Sequence, residues 1–251
     1  MTPHPVIPNR YAAAEERPAY VRDLFDAGAP HYDPVVGWGF WGTGNLYRKD
    51  AQRRHGLRPG MQLLDVACGT GLMAVAARDV LGGDETITCV EPSAGMLAVA
   101  RKKLKARFIQ SPAESMPVES AAYDFLTIGY ALRHFADLEA TFRELHRVLK
   151  PGGKVLILEA TRPAGRLGSW LFKLYFGRIY PFFARLLTRS QKAEEMMAYF
   201  WETMNACVRP EDVLKALQAA GFQHTARKSV LGWFSEYSAI KPSADFADSS
   251  D

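Results

Sequence analysis

Three observations predict a doubly wound α/β sheet of seven strands. Short, continuous apolar runs alternate with helical stretches between residues 61 and 161, the pattern of parallel strands covered on both faces. The first run passes into a tight glycine turn within "LLDVACGTGLM", Leu63 to Met73. Near the end of the chain two further runs are separated only by "LGW", a link so short that the strands must pair antiparallel.

The elements follow in order. Residues 1–20 are rich in Pro and Ala and read as a loosely held segment. Residues 21–60 read as helices and aromatic turns, an N-terminal lid. In the core, 61–161, "MQLLDVA", "TITCVE", "ARFIQ", "DFLTIGYA" and "KVLILEA" are strands. "LMAVAARDVL", "AGMLAVARKKLK" and "LEATFRELHRVLK" are the intervening helices, the last closed by Pro151-Gly152-Gly153. Residues 162–205 form a helical, aromatic cap. Residues 206–241 return to the core as "RPEDVLKALQAAGF", a helix ending at Gly221, and a hairpin of strands near 223–229 and 234–240. Residues 242–251 read as a disordered tail.

Bulk properties exclude several classes. The 31 Lys+Arg against 27 Asp+Glu leave a net charge of +4, too weak to indicate nucleic acid. Cys68, Cys89 and Cys207 have neither disulfide nor metal-ligand spacing, so no metal is expected. "MTPHPVIPNR" lacks an apolar signal-peptide core, so the expected location is cytoplasmic.

The turn narrows the ligand. A phosphate loop needs Gly-Lys-Ser/Thr, yet Leu72 and Met73 follow Gly71. A dinucleotide turn wants three glycines, and here Ala67, Gly69, Gly71 and Ala74 hold the positions. Asp65 lies just before the turn, unwelcome beside pyrophosphate and welcome beside a cation. Glu91 ends the next strand, where an acid accepts hydrogen bonds from ribose hydroxyls. A nucleoside that is cationic at the turn is S-adenosylmethionine.

"LLDVACGTGL", "CVEPSAGMLAVAR" and the stretch from "AESMPVES" to "LEATRP" resemble class I S-adenosylmethionine-dependent methyltransferases, which have a Rossmann-like sheet. Within that class the chain is most similar to the ubiquinone/menaquinone C-methyltransferases, from about His31 to Phe222. The resemblance implies cofactor contacts at Asp65, Ala67, Gly69, Gly71, Glu91, Pro92, Met96, Ala113, Glu114 and Gly129. Three positions depart from the family pattern. Pro112, after Ser111, stands where a carboxylate or amide usually meets the adenine amine. Ala131 replaces a glycine. His134 replaces the asparagine of "Leu-Arg-Asn".

Substrate-side candidates follow. His134 comes after the fourth strand and titrates near neutral pH, which suits a general base. Arg133 either stabilises a developing phenolate or forms a salt bridge inside the fold. Tyr32, in the Tyr32-Asp33 pair, matches an active-site tyrosine of the family. Trp38, Trp41 and Tyr47 crowd the lid as substrate contacts or as lid core. Glu159 ends the fifth strand, orienting Arg133 or a substrate hydroxyl, or pairing with Arg162. Tyr175 is an expected substrate contact in the cap.

Residues 162–192 carry seven basic residues, seven aromatics and no acid. This suits peripheral contact with an anionic membrane, a homodimer face, or a substrate lid. Lys173, Arg178, Arg185 and Pro181 argue against a membrane span. The expected acceptor is an apolar aromatic, a prenylated quinol precursor methylated at carbon. A phospholipid N-methyltransferase and a phenol O-methyltransferase with His134 as base stay open.

Overall fold

The computed structural model describes residues 1–39, 42–163 and 165–243, with the side chains of 38 and 39 outside the description. Seven strands form one sheet in the order β3-β2-β1-β4-β5-β7-β6. They are β1 (Leu63–Val66), β2 (Ile87–Val90), β3 (Arg107–Ile109), β4 (Tyr123–Gly129), β5 (Leu149–Ala160), β6 (Gln223–Val230) and β7 (Phe234–Ile240). The first five run parallel, and β7 is antiparallel to both β5 and β6. Strand order reverses between β1 and β4, which places a ligand crevice beyond their carboxyl ends.

The helices are α1 (Arg17–Gly39), α2 (Gly44–Arg54), α3 (Leu72–Leu81), α4 (Ala94–Ala100), α5 (Leu138–Val148), α6 (Arg166–Leu174), α7 (Tyr180–Thr188), α8 (Gln191–Ala206) and α9 (Pro210–Ala219). A π turn, Tyr175–Ile179, joins α6 to α7. The sheet separates two apolar clusters. One is built around Leu126, Phe142 and Leu145 and takes in residues of α5 and α9; the other is built around Leu63, Met73 and Phe125 and takes in residues of α2, α3 and α4. A third, aromatic cluster ties α1 to the cap through Phe172, Tyr199 and Phe200.

Local chemistry sets the boundaries. Gly71 starts α3 in a left-handed conformation (φ +82°), where a Cβ would also press on Leu104 and Ala100 at 3.2 and 3.3 Å. Asp137 caps α5 by accepting from the Ala140 N–H. Leu138, Thr141, Phe142, Leu145 and Val148 then make its buried stripe.

Two sequence expectations need correction, and a third falls largely outside the described residues. Pro151-Gly152-Gly153 does not close a helix in a loop. Leu149 already pairs with Tyr123 at the start of β5, and the register shifts before Lys154 pairs with Phe125, so the three residues form an irregularity inside a strand. The first twenty residues pack instead of hanging free, and α1 starts within them. His4, Tyr11 and Arg17 are buried. The Arg17 guanidinium donates to the carbonyls of His4 and Phe135, and the Met1 ammonium donates to Asp137. The expected tail at 242–251 lies outside the described residues from 244 onward.

The lid is latched by its carboxylates. Asp26 accepts from the Ser93 hydroxyl (2.5 Å) and the Gly95 N–H (2.7 Å). Two turns further along the same face of α1, Asp33 accepts from the Thr70 hydroxyl (2.5 Å) and pairs with Lys103. A Cβ on Gly95 would sit 2.9 Å from the Asp26 carbonyl oxygen, a backbone atom that cannot swing aside. Gly95→Ala is therefore expected to push α1 off α4 and to destabilise by about 1–3 kcal/mol. Thermal unfolding checks this; an unchanged midpoint contradicts the latch.

Candidate active site

A cavity of about 390 Å³ opens at the carboxyl ends of β1, β2 and β4. Its floor is the turn after β1, with Ala67, Cys68, Gly69 and Thr70. Ala67 (φ +52°) and Tyr130 (φ +61°) both adopt the left-handed region on this floor and wall. Such strain in non-glycine residues gathers at functional sites. A Cβ at Gly69 (φ +56°) would meet no atom within 4 Å, so open space lies above the turn.

Glu91, Pro92 and Met96 line one side, with Pro112, Ala113 and Glu114 beside them. The Glu91 carboxylate accepts from the Gly69 N–H (2.9 Å) and the Ser93 N–H (3.0 Å). Burial pushes its carboxyl up to about 7, against the pull of those two N–H groups. Ser111, just before Pro112, donates to the Pro112 and Ser115 carbonyls.

The opposite wall is apolar and aromatic. Val21, Phe25 and Tyr32 come from α1, and Tyr130, His134 and Phe135 from the end of β4 and the 3₁₀ turn Leu132–His134. The His134 ring stacks on Tyr199 (5.6 Å) and meets the Phe25 ring edge-on (5.0 Å). Both of its ring nitrogens are buried without a hydrogen-bond partner among the described residues. Burial, then the charges of Arg133, His4 and Arg17, hold its pKa well below the usual histidine value. The ring is neutral at neutral pH.

Of the cofactor positions read from sequence, eight line this cavity: Ala67, Gly69, Glu91, Pro92, Met96, Ala113, Glu114 and Gly129. Asp65 and Gly71 do not. Asp65 accepts from the Thr127 hydroxyl (2.8 Å) and the Ala74 N–H (3.1 Å), fastening β1 to β4 and α3. Burial pushes its carboxyl up to about 7.

The substrate-side candidates divide in the same way. Tyr32 and His134 reach the cavity, whereas Arg133 and Glu159 form a buried ion pair outside its lining. Glu159 also accepts from the Leu132 and Ala160 N–H groups, and Arg162 bonds Ser169 and Asn205 instead. Tyr47 donates to Glu236 (3.1 Å) and Tyr175 stacks on Tyr180 (6.0 Å), both away from the cavity. Trp38 is on α1 with its side chain undescribed, and Trp41 lies outside the described residues.

Sequence reading missed Arg48, a buried guanidinium in the cavity wall 5.8 Å from the Tyr130 ring centre. It also missed Phe25. Neither stands in a motif, and only the packing of the lid onto the sheet brings them to the cavity.

The residues fit S-adenosylmethionine. Gly69 leaves room above the turn, Glu91 presents an acceptor for ribose hydroxyls, and Pro92, Met96 and Ala113 offer apolar walls to an adenine. The sequence model of the ubiE/COQ5 methyltransferase family matches residues 12–237. The chain is 29% identical over 240 residues to the demethylmenaquinone methyltransferase of Bacillus cytotoxicus, across 92% of this chain and 98% of that one. It is 31% identical over 219 residues to the ubiquinone/menaquinone biosynthesis C-methyltransferase UbiE of Shewanella sediminis, across 84% and 85%. Among solved structures, phosphoethanolamine N-methyltransferase 2 of Haemonchus contortus in complex with S-adenosyl-L-methionine has the same fold. Its TM-score is 0.63 at 19% identity, over 88% of this chain and 60% of that one.

Two outcomes test this geometry. Calorimetric affinity for S-adenosylmethionine should hold above about pH 7 and fall below it, because a protonated Glu91 loses acceptor capacity. Glu91→Gln should flatten that profile and weaken binding by about 1–3 kcal/mol; Asp65→Asn, outside the cavity, should leave the profile in place. Separately, Glu159→Ala leaves the Arg133 cation buried and unpaired. Denaturant unfolding should show a loss of about 3–5 kcal/mol, with cofactor affinity of the folded protein unchanged.

Proposed function

The chain belongs to the ubiE/COQ5 methyltransferase family, and from that premise we propose that it moves a methyl group from S-adenosylmethionine to a ring carbon of an apolar hydroquinone. The observation that carries this reading is the neutral, unpartnered His134 imidazole set in an aromatic wall of the cofactor cavity. A flat hydroquinone suits a wall of Phe25, Tyr32 and Tyr130, and its hydroxyl proton suits an imidazole nitrogen.

When bound, the cofactor supplies an electrophilic methyl on a sulfonium. Gly69 and Glu91 hold its nucleoside end at the turn. His134 takes the hydroxyl proton of the acceptor, which raises electron density on the adjacent ring carbon. That carbon would accept the methyl in line as the carbon–sulfur bond breaks, then lose its hydrogen to solvent as a proton, while His134 returns its proton to the ring oxygen. Phe25 and Phe135 exclude water from the encounter. The names of the two quinone-synthesis relatives agree with such an acceptor. Phospholipid and simple phenol acceptors remain as outcomes of the assay.

The test is transfer of labelled methyl to a demethylmenaquinol analogue, phosphatidylethanolamine and a simple phenol, with the product position read by NMR. The expected product carries the label on a ring carbon; label found only on nitrogen or oxygen rejects the reading. His134→Asn should lower turnover by roughly 10²–10⁴ with cofactor affinity unchanged. Only the deprotonated ring can take the proton, and its pKa is depressed. The wild-type rate should therefore persist through the ordinary histidine range and decline only at more acidic pH. If His134→Asn keeps full turnover, the imidazole positions substrate and is no base.

A further inference from the structure

The cap contains one helical run with two apolar faces. From Arg166 to Thr188, α6, the π turn and α7 continue without a break, a length of roughly 34 Å. Phe172, Phe176, Tyr180 and Ala184, every fourth residue, are buried. A spacing of four drifts by about 40° per step in an α-helix of 3.6 residues per turn. The π turn, with its wider i→i+5 bonding, takes up part of that drift. It keeps the two halves in phase on both sides of the rod.

The opposite side is apolar as well. Leu167, Trp170, Phe182 and Leu186 each leave between 58% and 71% of their surface in solvent. Trp170, Phe182 and Leu186 keep the same four-residue phase, with Arg178 between them. Exposed large apolar residues of this kind are concentrated here: among the described residues only Leu46 and Leu231 are comparably exposed elsewhere. Arg166, Lys173, Arg178 and Arg189 flank the stripe, and none forms an ion pair with a described residue. No acid occurs anywhere from 162 to 192.

We infer that this outer stripe is a docking surface for an anionic lipid bilayer, on which the run lies in the plane of the headgroups. The charge pattern selects the occupant. A second copy of the chain would bring an identical all-basic stripe against this one, so like charges would face each other across a two-fold contact. An anionic bilayer complements the cations and accepts the Trp, Phe and Leu side chains between its headgroups. Interspersed cations exclude a span, and no described helix is long and apolar enough to cross a membrane.

The inner stripe gives the docking a use. Phe176 and Tyr180 belong to the cluster that holds Tyr32, Tyr199 and Phe200, and the Phe200 ring lies 5.8 Å from His134. One helical wall therefore stands between the bilayer and the aromatic side of the cavity, where a lipid-soluble acceptor would enter. The docking itself does not depend on the acceptor proposed above.

Flotation with phosphatidylcholine vesicles, with and without phosphatidylglycerol, tests the surface. The full chain should float with the anionic vesicles and not with the neutral ones. Arg178→Gln and Lys173→Gln should each lower partitioning about fivefold. Trp170→Ser combined with Phe182→Ser should abolish it, while cofactor binding shows that the variant is folded. The Trp170 contribution to fluorescence, taken against Trp170→Phe, should shift blue on anionic vesicles. Partitioning that is equal on both vesicle types or insensitive to these changes overturns the inference. So does a concentration-dependent dimer that Phe182→Ser dissociates.

Discussion

Two buried carboxylates hold the site together. Glu91 reaches from the end of β2 to the Gly69 N–H and so pins the left-handed turn. Asp65 binds Thr127 on β4 and the Ala74 N–H in the first turn of α3. Between them they join three strands and a helix at the point where the sheet order reverses. The strained Ala67 lies on the same turn, Tyr130 closes β4 beside it, and the cavity takes its floor from both.

Burying both carboxylates is costly. Both carboxyls are pushed up to about 7 by burial. Each binds a proton more tightly in the folded state than in the unfolded chain. Folding stability therefore falls as pH rises from the ordinary carboxylate range to about 7, by on the order of 3 kcal/mol for each group. Hydroxyl donors from a bound ribose would relieve part of that cost at Glu91. Two buried carboxyls raised in this way favour a cofactor rich in donors and carrying positive charge.

The sheet was legible because its strands are short apolar runs with unmistakable punctuation, and α3 matches its sequence bounds. Pro151-Gly152-Gly153 misled because its local turn chemistry is overridden by pairing of Leu149 with Tyr123. Most cavity-lining residues near the turn were readable because Ala67, Gly69, Glu91, Pro92 and Gly129 sit at strand ends or within three positions of them. The substrate side was not. Phe25 reaches the cavity from α1, which Asp26 and Asp33 dock, and Arg48 from α2, where Gln52 donates to the Met73 carbonyl of α3. These contacts span tens of residues and no local pattern announces them. Asp65 stands in the motif beside the expected cation, and its two oxygens accept from Thr127 and Ala74, contacts the motif does not announce. Arg133 and Glu159 form the buried ion pair that was one of the readings open for each from sequence.

The central claim is that Glu91 and His134 face the two ends of one bound pair, nucleoside and acceptor. A crystal structure with S-adenosylhomocysteine and a hydroquinone analogue measures this most directly. The account predicts ribose hydroxyls on the Glu91 carboxylate, the sulfur directed toward the Tyr130–His134 wall, and a ring hydroxyl within hydrogen-bond distance of a His134 nitrogen. An acceptor ring bound away from His134, with the imidazole still unpartnered, would contradict it.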